Sequence, residues 1–120
     1  INDDDLAILE QYAAYITWLN LSDCQLGLEQ LQIVAKMKNL TRLYLQKNPI
    51  NSKALKPLLE LKHLEILNLH STNVDNEIFD LISSFDNLKK VFLWNTRLTT
   101  KDILKKANQS ENIELIGGLE

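Results

Sequence analysis

The hydrophobic positions of this 120-residue chain recur at a fixed spacing. Ile16-x-x-Leu19-x-Leu21-x-x-Cys24-x-Leu26 is followed, without a gap, by Leu40-x-x-Leu43-x-Leu45-x-x-Asn48-x-Ile50. Leu64-x-x-Leu67-x-Leu69-x-x-Thr72-x-Val74 and Leu88-x-x-Val91-x-Leu93-x-x-Thr96-x-Leu98 complete the series. Repeats therefore start at 16, 40, 64 and 88, a period of 24, and a partial fifth copy occupies 113–120, with Ile113 and Ile116 ahead of Gly117-Gly118. Such a period marks stacked units, none of which can bury its apolar face without its neighbours.

The spacing inside a repeat predicts its elements. The fourth and sixth positions alternate at period two, which points both side chains to one face of a short strand. The pattern then turns helical. Leu31, Val34 and Met37 recur as Leu55, Leu58 and Leu61, then as Phe79, Ile82 and Phe85. Each triplet lays an apolar stripe against the strands, with Lys36, Lys56, Asp80 and Lys105 off that stripe. At the ninth position, Cys24, Asn48, Thr72 and Thr96 stand where the chain turns inward and backbone groups need partners. Amide, hydroxyl and, more weakly, thiol groups can supply them, with the small Cys24 thiol taken as buried. Asp75 and Thr99 are good helix N-caps, and Thr99 with Asp102 reads as a capping box. Pro57 predicts a short or irregular helix beginning near itself. At the front, Leu6, Leu9 and Ala13 share one face of a capping helix within 1–15, which Asp3 or Asp4 would cap.

This is the leucine-rich-repeat pattern. It predicts one α/β domain over 1–120, a right-handed horseshoe solenoid with a parallel β-sheet on its concave face and helices on its convex face. The phrases Trp18-Leu19-Asn20-Leu21, Leu40-Thr41-Arg42-Leu43-Tyr44-Leu45, Leu64-Glu65-Ile66-Leu67-Asn68-Leu69 and Leu93-Trp94-Asn95-Thr96 carry a narrower likeness. They resemble the C-terminal repeat tail of planctomycete-type membrane-anchored c-type cytochromes, over residues 6 to 119. The resemblance implies a haem-free tail on the periplasmic side of such a protein, and no catalytic residues. Haem attachment is not written here, because Cys24 is followed by Gln25, Leu26 and Gly27 rather than by a second cysteine and a histidine. The chain opens Ile1-Asn2-Asp3, without an initiator Met or a signal-peptide pattern, as a segment of a longer protein would.

Composition changes this picture little. Only three Gly and two Pro among 45% hydrophobic residues argue for continuous secondary structure. Thirteen basic and 16 acidic residues are scattered to a net charge of −3, and no block of like charge suggests a nucleic acid or membrane surface as partner. No apolar run is long enough to insert into a bilayer. Cys24, alone, excludes an internal disulfide framework. His63 and His70 fall on different surfaces with no third ligand, so no metal is expected. Gly27, Gly117 and Gly118 make no phosphate loop, and Asp3-Asp4-Asp5 reads as a helix start rather than an acid–base pair. No enzyme activity and no cofactor are expected, and the segment is expected to be monomeric.

One surface stands apart. The third, fifth and seventh positions of each repeat point away from the core, onto the concave face. The third positions are Trp18, Arg42, Ile66 and Lys90, and the fifth are Asn20, Tyr44, Asn68 and Phe92. Ser22, Gln46, His70 and Trp94 hold the seventh. Aromatic residues, 7% of the chain, are enriched there, and exposed ring clusters mark binding surfaces. Rings side by side also stabilise a sheet without any ligand. Binding energy is expected in the C-terminal half, where Asn68, His70, Phe92 and Trp94 adjoin and Ile66 and Lys90 stand beside them. Trp94 is expected to cover no core, whereas Trp18, Arg42 and Tyr44 are expected to be separated by Asn20 and Gln46.

The function that follows is a non-catalytic protein-interaction module, binding a protein or another domain of the parent chain. The alternative is a glycan-binding module, with Trp94 and Phe92 stacking on sugars and Asn68 or His70 bonding hydroxyls. Expressed with haem-maturation machinery and purified, the segment should show no Soret band and no stoichiometric zinc. One equivalent of metal held through His63 or His70 would overturn this reading of both residues.

Overall fold

In the computed structural model, residues 3–109 and 112–117 are described. Five three-residue strands form one parallel sheet in sequence order: β1 (Trp18–Asn20), β2 (Arg42–Tyr44), β3 (Ile66–Asn68), β4 (Lys90–Phe92) and β5 (Glu114–Ile116). The other face carries α1 (Asp3–Glu10), α2 (Leu28–Val34), a 3-10 helix (Lys53–Glu60), α3 (Glu77–Ser83) and α4 (Thr100–Gln109), with a short 3-10 turn at Ala13–Tyr15. This is the expected leucine-rich-repeat solenoid, sheet on the concave face and helices on the convex.

Strand pairing follows the repeat without slippage. Trp18 pairs Arg42, Arg42 pairs Ile66, Ile66 pairs Lys90 and Lys90 pairs Glu114. The core follows from that register. Leu43, Leu67 and Val91 at the fourth position and Leu45, Leu69 and Leu93 at the sixth are fully buried. Leu19 and Leu115, in the two edge strands, are only half-buried, because each has a neighbouring coil on one side alone. Leu6 of α1 is fully buried, which closes the front of the core.

Asn48 joins two coils at the inward turn. Its Nδ2 donates to the carbonyl oxygens of Leu21 (2.8 Å) and Leu45 (3.0 Å), and its Oδ1 accepts from the backbone N–H of Cys24 (3.0 Å) and Leu26 (3.1 Å). The shorter residues at this position reach only within their own coil. Thr72 Oγ1 donates to Leu69 O at 2.7 Å, Thr96 Oγ1 to Leu93 O at 2.9 Å and Cys24 Sγ to Ser22 O at 3.2 Å. Cys24 is half-buried, not buried as expected, because it stands in the first repeat with no earlier coil to cover it.

The convex layer departs from expectation in detail. The helix around Pro57 is irregular as predicted, but it is a 3-10 helix that starts four residues earlier, at Lys53. Asn51 Oδ1 accepts from Ala54 N (3.0 Å) and so caps that earlier start. In the third repeat Ile78 is fully buried and Phe79 only half-buried, so the stripe runs through Ile78, Leu81, Ile82 and Phe85. The bulkier ring is turned outward, where Lys106 Nζ lies 5.7 Å from its centre. Asp75 caps α3 by accepting from Glu77 N (3.1 Å), and Thr99 caps α4 by accepting from Asp102 N (3.1 Å). Helix α1 begins at Asp3, so Asp4 stands in its first turn rather than at its cap; the capping position, like Gly118, lies outside the described residues. Lys38 donates to Glu60 at 2.8 Å, and this bond and its charge hold the Glu60 carboxyl below the usual carboxylate range. The pair is solvent-exposed, so its small stabilising effect is present at neutral pH and fades as the carboxylate protonates.

Leu45→Ala and Leu69→Ala should each cost about 2–5 kcal/mol in chemical denaturation, since both delete fully buried side chains. Asn48→Ala should cost about 3 kcal/mol, because it strands donors and acceptors in two coils. A parental denaturation midpoint for any of the three would show that the repeats are not stacked in this register.

Candidate functional site

The three inner strands, β2 to β4, each present a half-exposed, buried, half-exposed triplet, with the buried residue facing the helices. The candidate residues therefore all lie on the concave face, in three rows that cross the strands. The third-position row runs Trp18, Arg42, Ile66, Lys90 and on to Glu114. The fifth-position row runs Asn20, Tyr44, Asn68, Phe92 and Ile116.

In the C-terminal half the expected cluster is present. The Trp94 ring lies 4.8 Å from His70 and 6.1 Å, edge-on, from Phe92. His70 Nδ1 is 3.1 Å from the Trp94 carbonyl oxygen. That oxygen can only accept, which assigns the ring proton to Nδ1. Ser71 Oγ lies 3.2 Å from Nε2 and accepts from Asn95 Nδ2 at 2.8 Å. Asn68 Oδ1 accepts the His70 backbone N–H at 3.0 Å, which leaves its amide nitrogen for other work. Packed in this way, Trp94 is only 37% exposed. The ring is part of the sheet's own packing as well as part of its surface.

The N-terminal half does not conform to expectation. Arg42 lays its guanidinium 4.1 Å above the Trp18 ring, and Trp18 lies 6.3 Å from Tyr44. Asn20 and Gln46 do not separate them. Trp18 and Arg42 are direct cross-strand partners, and Tyr44 is the diagonal neighbour of Trp18, within reach of a large ring. The spacing of 24 held this information, since it makes Trp18 and Arg42 adjacent members of one row. Trp18 is 58% exposed, more open than Trp94. Between the two clusters stands half-buried Ile66.

Glu114 was not among the expected site residues, yet it continues the third-position row and its Oε2 lies 3.7 Å from Lys90 Nζ. His63 is exposed beside the strand entries, where Lys89 and Glu65 pair at 3.2 Å, and belongs to a different surface from His70. Among the described residues, no three His, Cys, Asp or Glu side chains gather as a metal site. Among the described residues, no helix is long and apolar enough to cross a membrane.

A family model of the leucine-rich repeat matches residues 36–59, a segment containing the Leu40 to Ile50 motif of the second repeat, with Asn48. No curated protein sequence matches the chain. Among solved structures, the leiomodin-1 actin-binding site 2 superposes with a TM-score of 0.72 at 15% identity, covering 98% of this chain and 79% of that one. A tropomodulin C-terminal domain from Caenorhabditis elegans gives 0.70 at 16% identity, covering 99% and 84%. At such identities the likeness is one of fold.

The Trp94 ring packs on His70 and Phe92, which are concave-face neighbours rather than core residues, and those contacts add to the stability of the sheet. Trp94→Ala should lower stability by about 1–3 kcal/mol, as two aromatic contacts are lost. Trp18→Ala, which loses an exposed stack with Arg42, should cost about 1 kcal/mol. A Trp94→Ala protein that denatures like the parent would mean the ring stands free of His70 and Phe92.

Proposed function

We propose that this chain, a leucine-rich-repeat solenoid, is a non-catalytic protein-binding module whose partner seats on the concave sheet. The observation that carries this reading is the pair of partly exposed ring clusters, Trp18–Arg42–Tyr44 and His70–Phe92–Trp94, held on one rigid face. Rings and arginine are the residue types that dominate binding energy at protein interfaces. The leiomodin structure of the same fold is named for an actin-binding site, which supports a protein as the class of partner.

The glycan reading has less room on this surface. Sugar stacking needs a free ring face, and Arg42 covers one face of Trp18 while His70 packs against Trp94. At Asn68 the side-chain oxygen is engaged by His70 N–H, which leaves only the amide nitrogen to serve a hydroxyl. The phrase-level resemblance to membrane-anchored cytochrome tails supports a periplasmic setting, with the module monomeric and its partner a separate protein or another domain of the parent chain.

Screening the purified chain against a phage-displayed peptide library and a glycan array separates the two readings. Peptides should be enriched, and Trp94→Ala should weaken the best of them at least tenfold in the folded protein, about 1.4 kcal/mol or more. Lys36→Ala on the convex side, which loses only an exposed pair with Glu10, should leave binding unchanged. Binding to glycans alone, or binding that ignores Trp94 and follows Lys36, would overturn the proposal.

A further inference from the structure

The concave face carries little charge, and its charge is unevenly partnered. Of its two cations, Lys90 has a carboxylate beside it, since Glu114 follows in the same row at 3.7 Å. Arg42 has none. Its row neighbours are Trp18 and Ile66, and Tyr44 lies two residues along its own strand. Among the described residues, its guanidinium makes no ion pair or side-chain hydrogen bond, and it stacks on Trp18 at 4.1 Å. A chain of net charge −3 thus offers an unpaired cation at the N-terminal half of its concave sheet.

Stacking does more than place that charge. A guanidinium lying over an indole is fixed in position and orientation, and its N–H donors radiate in the plane of the group, away from the ring it covers. That arrangement suits a carboxylate received by two parallel N–H···O bonds. Holding the fork beforehand also lowers the entropy lost when the pair forms.

We propose that Arg42, braced on Trp18, is the anchor for a carboxylate of the partner, and that the occupant of the concave face is an extended acidic peptide segment of a separate protein. The inference rests on the concave-face reading above and adds to it the chemistry of the ligand. Geometry also sets a spacing. Arg42 and Trp94 lie two strands apart and four residues along the strand direction, a diagonal of about 16 Å from strand spacing and rise. An extended peptide covers that in about five residues. The partner segment therefore carries Asp or Glu about five residues from an aromatic or aliphatic side chain that meets Trp94.

Random dodecapeptides displayed on phage are the probe, panned on the whole chain, with enriched sequences resynthesised both as found and with each Asp or Glu replaced by Asn or Gln. The enriched set should contain an acid at the stated spacing, and its amide version should bind at least tenfold more weakly. Arg42→Gln should weaken the acidic peptide by a similar factor and abolish its advantage over the amide. Arg42→Lys, which keeps the charge but lacks the planar fork, should restore only part of it, and Lys90→Gln should leave the advantage intact. Circular dichroism confirms that each variant remains folded. Peptides that depend on Trp94 yet show no acid preference, or an acid preference that survives Arg42→Gln, would overturn the carboxylate anchor while leaving the concave face as the binding site. If no peptide is enriched, or if binding ignores both Trp94 and Arg42, the anchor and the concave-face reading fall together.

Discussion

Backbone pairing between residues 24 apart governs this molecule, and its hardest point is where each strand hands the chain to the convex side. There the eighth residue of each repeat adopts a left-handed conformation: Asp23, Lys47, Ser71 and Asn95 have φ of 53°, 61°, 58° and 56°. Asparagine and aspartate tolerate this region, but lysine and serine carry a steric cost of about 1 kcal/mol or more. The gain is visible in the ladder. Asp23, Lys47 and Ser71 each use their N–H to reach the seventh-position carbonyl of the next coil, on Gln46, His70 and Trp94. Strain at one residue keeps two coils in register. Asn48 then satisfies the backbone that this sharp turn leaves inside.

Much else follows from the same pairing. Because partners are 24 apart, apolar residues stack on apolar residues through the solenoid, and coils with two neighbours bury them completely while those at the ends do not. The convex layer is less constrained, since no backbone ladder ties one helix to the next. It accordingly tolerates an α-helix in one repeat, a 3-10 helix around Pro57 in another, and a stripe shifted by one residue at Ile78. The exposed ion pairs between successive coils, such as Lys36–Glu10 and Lys62–Asp86, decorate that layer without dictating it.

The same division explains what could be read from the residues in order. Strands, register and the face of every concave side chain were legible because periods of 2 and 24 determine them jointly. Cap residues Asp75 and Thr99 were legible because capping is a local event. The burial of Ile78 over Phe79 was not, since it depends on how far apart two helices stand, which no period encodes. The left-handed residues were not legible either, because Lys47 and Ser71 bear no local preference for that conformation, and only the ladder makes it necessary. The contact between Trp18 and Arg42 was available in the register itself. It is a relation across strands, which the order of residues along either strand does not display.

The two ring clusters of the concave face share one architecture but differ in what it leaves free. At Trp94 the packing is deeper: His70 is tied to the Trp94 carbonyl, Phe92 presses edge-on, and 37% of the residue stays exposed. At Trp18 the stack is shallower, 58% of the residue is open, and the group laid over it is charged and, among the described residues, lacks a counter-ion. Stabilising the sheet and binding a partner are therefore not rival explanations for these rings. A side chain that neighbours hold still has already lost the freedom that binding would otherwise remove. The aromatic contacts that steady each coil against the next thus also pre-organise the surface a partner would meet. The cluster with the less complete packing is the one left with an interaction still to make.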